Sequence, residues 1–196
     1  MPERLSAWEK EYRKVESLWG FKPDPILMEY ADLVPKGKVL DLGIGEGRNS
    51  LPFAKIGYEV EGCDISPTAI KRCIAIAKKE KLKVKVEAKD LLKIDVTHEK
   101  YSLIIGAWVL NFFRKNEAVK IIKKIRNGLK KTGLFTSQCS PRTTLVVKEL
   151  KEIYQPWKKI PTMTERKIVI FITLLKKRSY LHSPILNLFT IPKASN

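Results

Sequence analysis

The chain has 196 residues, 38 Lys and Arg against 21 Asp and Glu, and a formal net charge of +17 at pH 7. That length suits one α/β domain with a full core, and the hydrophobic content of 44% and charged content of 30% are those of a soluble globular protein. Cys63, Cys73 and Cys139 are odd in number and widely spaced, and His98 and His182 are isolated from them, so neither a disulfide framework nor a metal site is expected.

Residues 1–19 carry mixed charges without an apolar core, which predicts no signal peptide. Leu5, Trp8, Tyr12, Val15 and Trp19 recur at three- and four-residue steps, the spacing of an amphipathic helix over 3–19. Pro23 and Pro25 break it, and a short helix from Ile26 to Leu33 leads to Pro35. From there strand and helix alternate. The expected strands are 38–43, 59–63, 84–88, 102–107, 133–138 and 167–175, with helices near 48–56, 67–80, 117–130 and 145–155.

Ser66 before Pro67 is a helix start: a capping hydroxyl precedes a residue whose missing amide costs nothing there. Asn116 is the expected cap of the next helix, with Ala118, Ile121, Ile122, Ile125 and Leu129 on its core face. Asn127-Gly128 and Thr132-Gly133 compete as its stop. The longest apolar run, Ile168 to Leu175, is too short to span a bilayer, so no integral membrane association is expected and the expected location is the cytoplasm. The expected fold class is α/β, a doubly wound and mainly parallel sheet in three αβα layers. The expected organisation is a helical leader or lid at 1–34, a main domain at 35–177 and a basic, apolar tail at 178–196.

The stretch from Lys38 to Asn49 carries the most chemistry. An apolar strand (Val39, Leu40, Leu42) runs into Gly43, Gly45 and Gly47, where the backbone can turn sharply and bring bare amides against a ligand. The helix that follows offers its positive end to an anion. Asp64, 21 residues beyond Gly43, stands where an acid at the next strand end accepts both hydroxyls of a ribose. These residues describe a pocket for an adenosine-bearing cofactor. The dinucleotide fingerprint would place its third glycine at position 48, which Arg48 occupies.

Asp41-x-Gly43-x-Gly45 resembles the first motif of the class I S-adenosylmethionine-dependent methyltransferases. Cys63-Asp64-Ile65-Ser66-Pro67 resembles their second, and Ala88-Lys89-Asp90-Leu91 the acid and apolar pair that reads adenine. Gly47-Arg48-Asn49-Ser50-Leu51, the run from Ile105 to Phe113, and Glu149-Leu150-Lys151 with Tyr154 and Trp157 resemble the tellurite-resistance branch of that class. The resemblance implies a Rossmann-like fold whose last strand, here Lys167–Leu175, runs antiparallel. It implies S-adenosyl-L-methionine as the cofactor and a small nucleophile, such as a thiol, a chalcogen oxyanion or another metabolite, as methyl acceptor.

On that resemblance Gly43, Ile44 and Gly45 pass along the methionine end of the cofactor. Asp41 attracts its ammonium or ties the loop amides. Asp64 holds the ribose, with Ile65 against the adenine face. Asp90 accepts from the adenine amino group or caps a turn, and the Leu91 amide donates to a ring nitrogen. Ala107 and Trp108 end the fourth strand beside the reacting methyl, where an indole favours a sulfonium or simply fills core. Trp8 and Tyr12 are candidates for the substrate pocket, and Arg166 for attracting an anionic acceptor, against packing and surface roles respectively.

No general base announces itself, because His98 sits in a polar loop and His182 in the tail. A soft or already anionic acceptor needs none. The lysines are spread through every expected helix, which reads as a solvated face rather than a nucleic-acid track. Two other readings stay open: an RNA methyltransferase, from the basic balance, and a cofactor-binding protein without turnover, from the missing base. The sequence specifies no oligomeric state.

Overall fold

Three segments that read as apolar strands from sequence form the centre of a parallel sheet. A computed structural model describes residues 2–29, 31–139 and 169–174. Strand β1 (Lys38–Leu42) pairs in parallel with β2 (Glu59–Asp64) on one side and β4 (Tyr101–Ile105) on the other. β3 (Val84–Ala88) adds beside β2, while β5 (Leu129–Cys139) and β6 (Val169–Leu174) add beyond β4, giving the order β3-β2-β1-β4-β5-β6. Every pairing is parallel. The expectation of an antiparallel last strand is therefore corrected: β6 runs parallel to β5, with Leu134 opposite Val169 and Cys139 opposite Leu174.

The central strands are buried on both faces, as a parallel sheet demands, whereas β3 at the edge exposes Lys85 and Glu87. Alternation sorts their side chains: Val39, Leu103 and Ile105 join one core, Leu40, Leu42 and Ile104 the other. A register shift between Tyr101 and Leu103 turns Tyr101 onto the same face as Ile104. Helices α3 (Leu51–Lys55) and α4 (Pro67–Lys79) close the first core through Leu51, Phe53, Ile70, Cys73 and Ala77. Helix α5 (Lys115–Gly128) closes the second with Ala118, Ile121, Ile122 and Ile125, the face its periodicity predicts.

Ser66 caps α4 as its sequence predicts, its hydroxyl accepting from the Ala69 amide at 3.1 Å. The cap of α5 is Arg114 instead of Asn116, because the Glu117 carboxylate reaches back to the Arg114 amide at 3.0 Å and draws the helix start forward. Of the two candidate stops Gly128 ends α5, and β5 follows at once. The leader helix α1 (Pro2–Lys14) is shorter than the periodicity implies, and α2 (Pro25–Glu29) is a single turn. Beyond Lys14, the Ser17 hydroxyl and Leu18 amide bond the Glu46 carboxylate at 2.9 and 3.2 Å, which draws the chain out of the helix. The expected helix at 145–155 and the tail from 178 lie outside the described residues.

Candidate functional site

The strand order reverses between β1 and β4, so their carboxyl ends diverge and open a crevice there, the usual ligand position in a doubly wound sheet. Gly43 and Gly45 follow β1 with φ of +76° and +56°. These values favour glycine, and the space does too. A Cβ at Gly43 would stand 2.8 Å from Val109 Cγ2, and one at Gly45 2.6 Å from the Tyr12 hydroxyl. The Gly43 and Ile44 amides are spent on the Cys63 carbonyl at 2.8 and 3.0 Å, which locks the turn to the end of β2.

Three carboxylates stand at the ends of β1, β2 and β3. Asp41 is 3% exposed, and burial pushes its pKa up to about 7. The Ser50 hydroxyl lies close enough to moderate that rise, although no hydrogen bond to Ser50 Oγ of ordinary geometry forms. Asp64 is 8% exposed and is raised to about 6, burial outweighing the amides that serve it. Its two oxygens accept from the Ser66 amide at 2.9 Å and the Gly45 amide at 3.0 Å, so one side chain orients both the glycine turn and the start of α4. Asp90 accepts the Leu92 amide on Oδ1 at 2.9 Å, while its Oδ2 is buried without a hydrogen-bond partner. An orphaned carboxylate oxygen is costly unless a ligand satisfies it.

These acids share one open cleft of about 980 Å³ with Gly43, Ile44, Gly45, Ile65, Leu91, Ala107 and Trp108. Trp8 and Tyr12 line it from above. Twelve of the residues singled out from sequence thus face one space, while Arg166 lies outside the described residues. Trp108 holds φ +59°, a strained conformation for so large a side chain, directly at the rim. The neutral phenol of Tyr12 is 3% exposed, and burial with the nearby Asp64, Glu46 and Asp41 charges holds its pKa well above the ordinary value. His98 is exposed on a loop and does not line the cleft.

Sequence reasoning missed the residues that tie the leader down. Arg48 donates to the Trp19 carbonyl at 3.0 Å, and Asn49 Oδ1 accepts the Asp24 amide at 3.0 Å. Glu46 joins Ser17 and Leu18 to Arg72, whose guanidinium lies 3.0 Å away. Glu46, Arg48 and Asn49 stand inside the glycine segment, so their type and place are visible in the sequence but their distant partners are not. Trp19 lines the cleft as well, whereas Val15, on the same helical spacing, is 42% exposed. Phe112 and Phe113 add to the apolar wall beyond β4, with Trp8 meeting Phe112 edge-on at 4.8 Å.

The residues fit an adenosine-bearing ligand on structural grounds: a cradle that a Cβ would fill, and a buried carboxylate oxygen awaiting a donor. Fold and cleft together define a Rossmann-like domain whose cleft lies at the switch point. The family model described as tellurite resistance protein TehB matches residues 24–165, and the chain belongs to that family.

A probable S-adenosyl-L-methionine-dependent methyltransferase TehB of Haemophilus influenzae is 28% identical over 142 residues, covering 67% of this chain and 49% of that protein. The chain thus spans about half the length of the curated relative it matches. The crystal structure of TehB from Haemophilus influenzae is similar with a TM-score of 0.50 at 27% identity, over 55% of this chain and 37% of that one. The PH0226 protein of Pyrococcus horikoshii is similar with a TM-score of 0.52 at 32% identity, over 57% of this chain and 51% of that one.

Proposed function

We propose that the chain is an S-adenosyl-L-methionine-dependent methyltransferase acting on a small-molecule nucleophile. The observation that carries this reading is the convergence of Asp41, Asp64 and Asp90, from three successive strand ends, on the glycine turn. When bound, the cofactor supplies a methyl group on a cationic sulfur, open to in-line displacement. Asp64, anchored by two backbone amides, accepts from the ribose hydroxyls with its remaining lone pairs. Asp90 Oδ2 accepts the adenine amino group, which removes its buried deficit. Asp41 attracts the ammonium, and that cation in turn favours the ionised carboxylate. The Gly43–Gly45 turn lets the methionine end approach the backbone.

The acceptor side is the aromatic and aliphatic wall of Trp8, Trp108, Val109, Phe112 and Phe113. It excludes water and orients the acceptor, so orientation rather than proton transfer carries the rate. No imidazole lines the cleft among the described residues, which suits an acceptor that ionises unaided. The leader, 1–34, serves as cover and 35–177 as the methyltransferase domain.

A ribonucleic acid acceptor is disfavoured by the placement of charge. The exposed Lys71, Lys78 and Lys79 lie on α4 and the exposed Lys120, Lys123 and Arg126 on α5, on opposite faces of the sheet. No helix among the described residues is long and apolar enough to cross a membrane, and a cytoplasmic location follows from the reading of a metabolite-directed enzyme.

The test is calorimetry with S-adenosylhomocysteine, followed by radiolabelled methyl transfer to a panel of thiols, chalcogen oxyanions and small metabolites. Binding together with transfer to one acceptor class supports the reading. Absence of binding at millimolar ligand, or transfer only to RNA or protein, defeats it. Binding without any product leaves a cofactor-binding protein in its place.

A further inference from the structure

We propose that Glu9 is a positioning residue for binding of the methyl donor: its bonds to the first turn of α4 fix α1 over the cleft and, through Ser66, steady the Asp64 carboxylate. The inference rests on the cofactor reading above. Glu9 lies ahead of residues 24–165, the part matched by the family model.

The carboxylate takes three donors from far along the chain, besides Arg13 Nε of its own helix, which donates to Oε1 at 2.9 Å. Ser66 Oγ donates to Oε2 at 2.7 Å, Thr68 Oγ1 to Oε1 at 2.6 Å, and the Thr68 amide to Oε2 at 3.2 Å. Burial alone would raise its pKa, but the Thr68 and Ser66 bonds prevail and bring it down to about 2, so the group is ionised at neutral pH. A negative charge at the first turn of the 13-residue α4 is also favoured by the helix dipole.

The geometry then reaches the cleft by two routes. Along α1, Glu9 neighbours Trp8 and precedes Tyr12 by one turn, and both line the cleft. Along the β2–α4 turn, the same Ser66 that donates to Glu9 gives its amide to Asp64 Oδ1 at 2.9 Å. Asp64 Oδ2 in turn holds the Gly45 amide at 3.0 Å. Glu9, Ser66, Asp64 and Gly45 thus form one bonded line from the cover to the floor. The tether docks α1 on α4 and also touches the proposed ribose-binding acid through Ser66.

The test compares Glu9→Ala, Glu9→Gln and Thr68→Val in the full chain. S-adenosylhomocysteine is the probe, by calorimetry and by its dissociation rate. Loss of the charge-assisted bonds is expected to weaken binding about tenfold in Glu9→Ala and about threefold in Thr68→Val, chiefly through faster dissociation. Glu9→Gln, which keeps one carbonyl acceptor, recovers part of the loss. Trypsin cleavage after Arg13 and Lys14, slowed by the ligand in the unaltered protein, becomes indifferent to it in Glu9→Ala. With any acceptor that is turned over, KM for the methyl donor rises in step while kcat at saturation stays within about twofold.

Unaltered affinity in Glu9→Ala and Thr68→Val overturns the inference, as does a fall in kcat with affinity unmoved. Thr68→Val decides the matter if Glu9→Ala does not fold. Should the unaltered protein itself fail to bind the probe, the cofactor reading falls and takes this inference with it. Binding by the unaltered protein with indifferent variants removes this inference alone.

Discussion

The floor and the cover of the cleft are built on different physics. The floor is strand ends: fully buried Val39, Leu42 and Ile105 hold the backbone, and the turn is closed by main-chain bonds of Gly43 and Ile44 to Cys63. The cover is the part of the leader ahead of Pro25, where Tyr12 is the only buried side chain among the described residues, and it is attached by polar bonds from Glu9, Glu46, Arg48 and Asn49. Backbone trapped between two cores cannot shift without disturbing close packing, whereas a polar tether exchanges readily for water. On the proposed reading, the floor sets whether the ligand fits and the cover sets how long it stays.

Changes to the floor are expected to cost most. Gly45→Val puts a side chain on a φ of +56° and within reach of the Tyr12 hydroxyl. It should weaken S-adenosylhomocysteine binding by about a hundredfold, read by calorimetry, with far-ultraviolet circular dichroism unchanged. Retained affinity would show that the turn does not touch the ligand.

A second expectation concerns pH. Asp41 and Asp64 have folded pKa values near 7 and 6, raised by burial above ordinary carboxylate values. Their contribution to the stability of the ligand-free protein is full below about pH 4 and is lost as pH rises through 6 and 7. Binding of an ammonium-bearing ligand to ionised Asp41 should strengthen about tenfold between pH 6 and pH 8, as calorimetry at each pH would show. Affinity flat across that window would separate Asp41 from the ligand. Glu9, lowered to about 2, behaves oppositely: its contribution is full above its ordinary value near 4.5 and is lost as pH falls toward 2.

A third change probes the floor at Asp90, where the proposed reading places the adenine. Asp90→Ala removes an oxygen with no protein partner together with the Leu92 amide bond. About a tenfold loss of affinity is expected, with Asp90→Asn losing less because it preserves that bond. The smallest effect belongs to the cover. Trp8→Ala removes the edge-on contact with Phe112 and should cost about threefold in affinity while raising the ligand's dissociation rate. A loss as large as that of Gly45→Val would mean that floor and cover are one structure, and the contrast would fail.

Short-range signals are legible in the amino-acid order alone. The alternation of strand and helix, the Ser66 cap, the inward face of α5 and the glycine turn each depend on residues within a few positions of one another. So do the acids at strand ends, because a strand terminates where its apolar run does. Asn116 fails as the cap of α5 because a carboxylate three residues beyond Arg114 competes for the same turn.

What the sequence by itself determined, then, is the alternation of strand and helix among the described residues and the chemistry that each strand end presents. Only the tertiary structure decided that α1 stops at Lys14, that Trp19 faces the cleft and that β6 lies parallel to β5. It also revealed the leader's fastening to α4 and the glycine loop. Those outcomes rest on bonds between residues tens of positions apart, such as Glu9 with Thr68 and Glu46 with Ser17, whose partners become neighbours only once the sheet has ordered the chain.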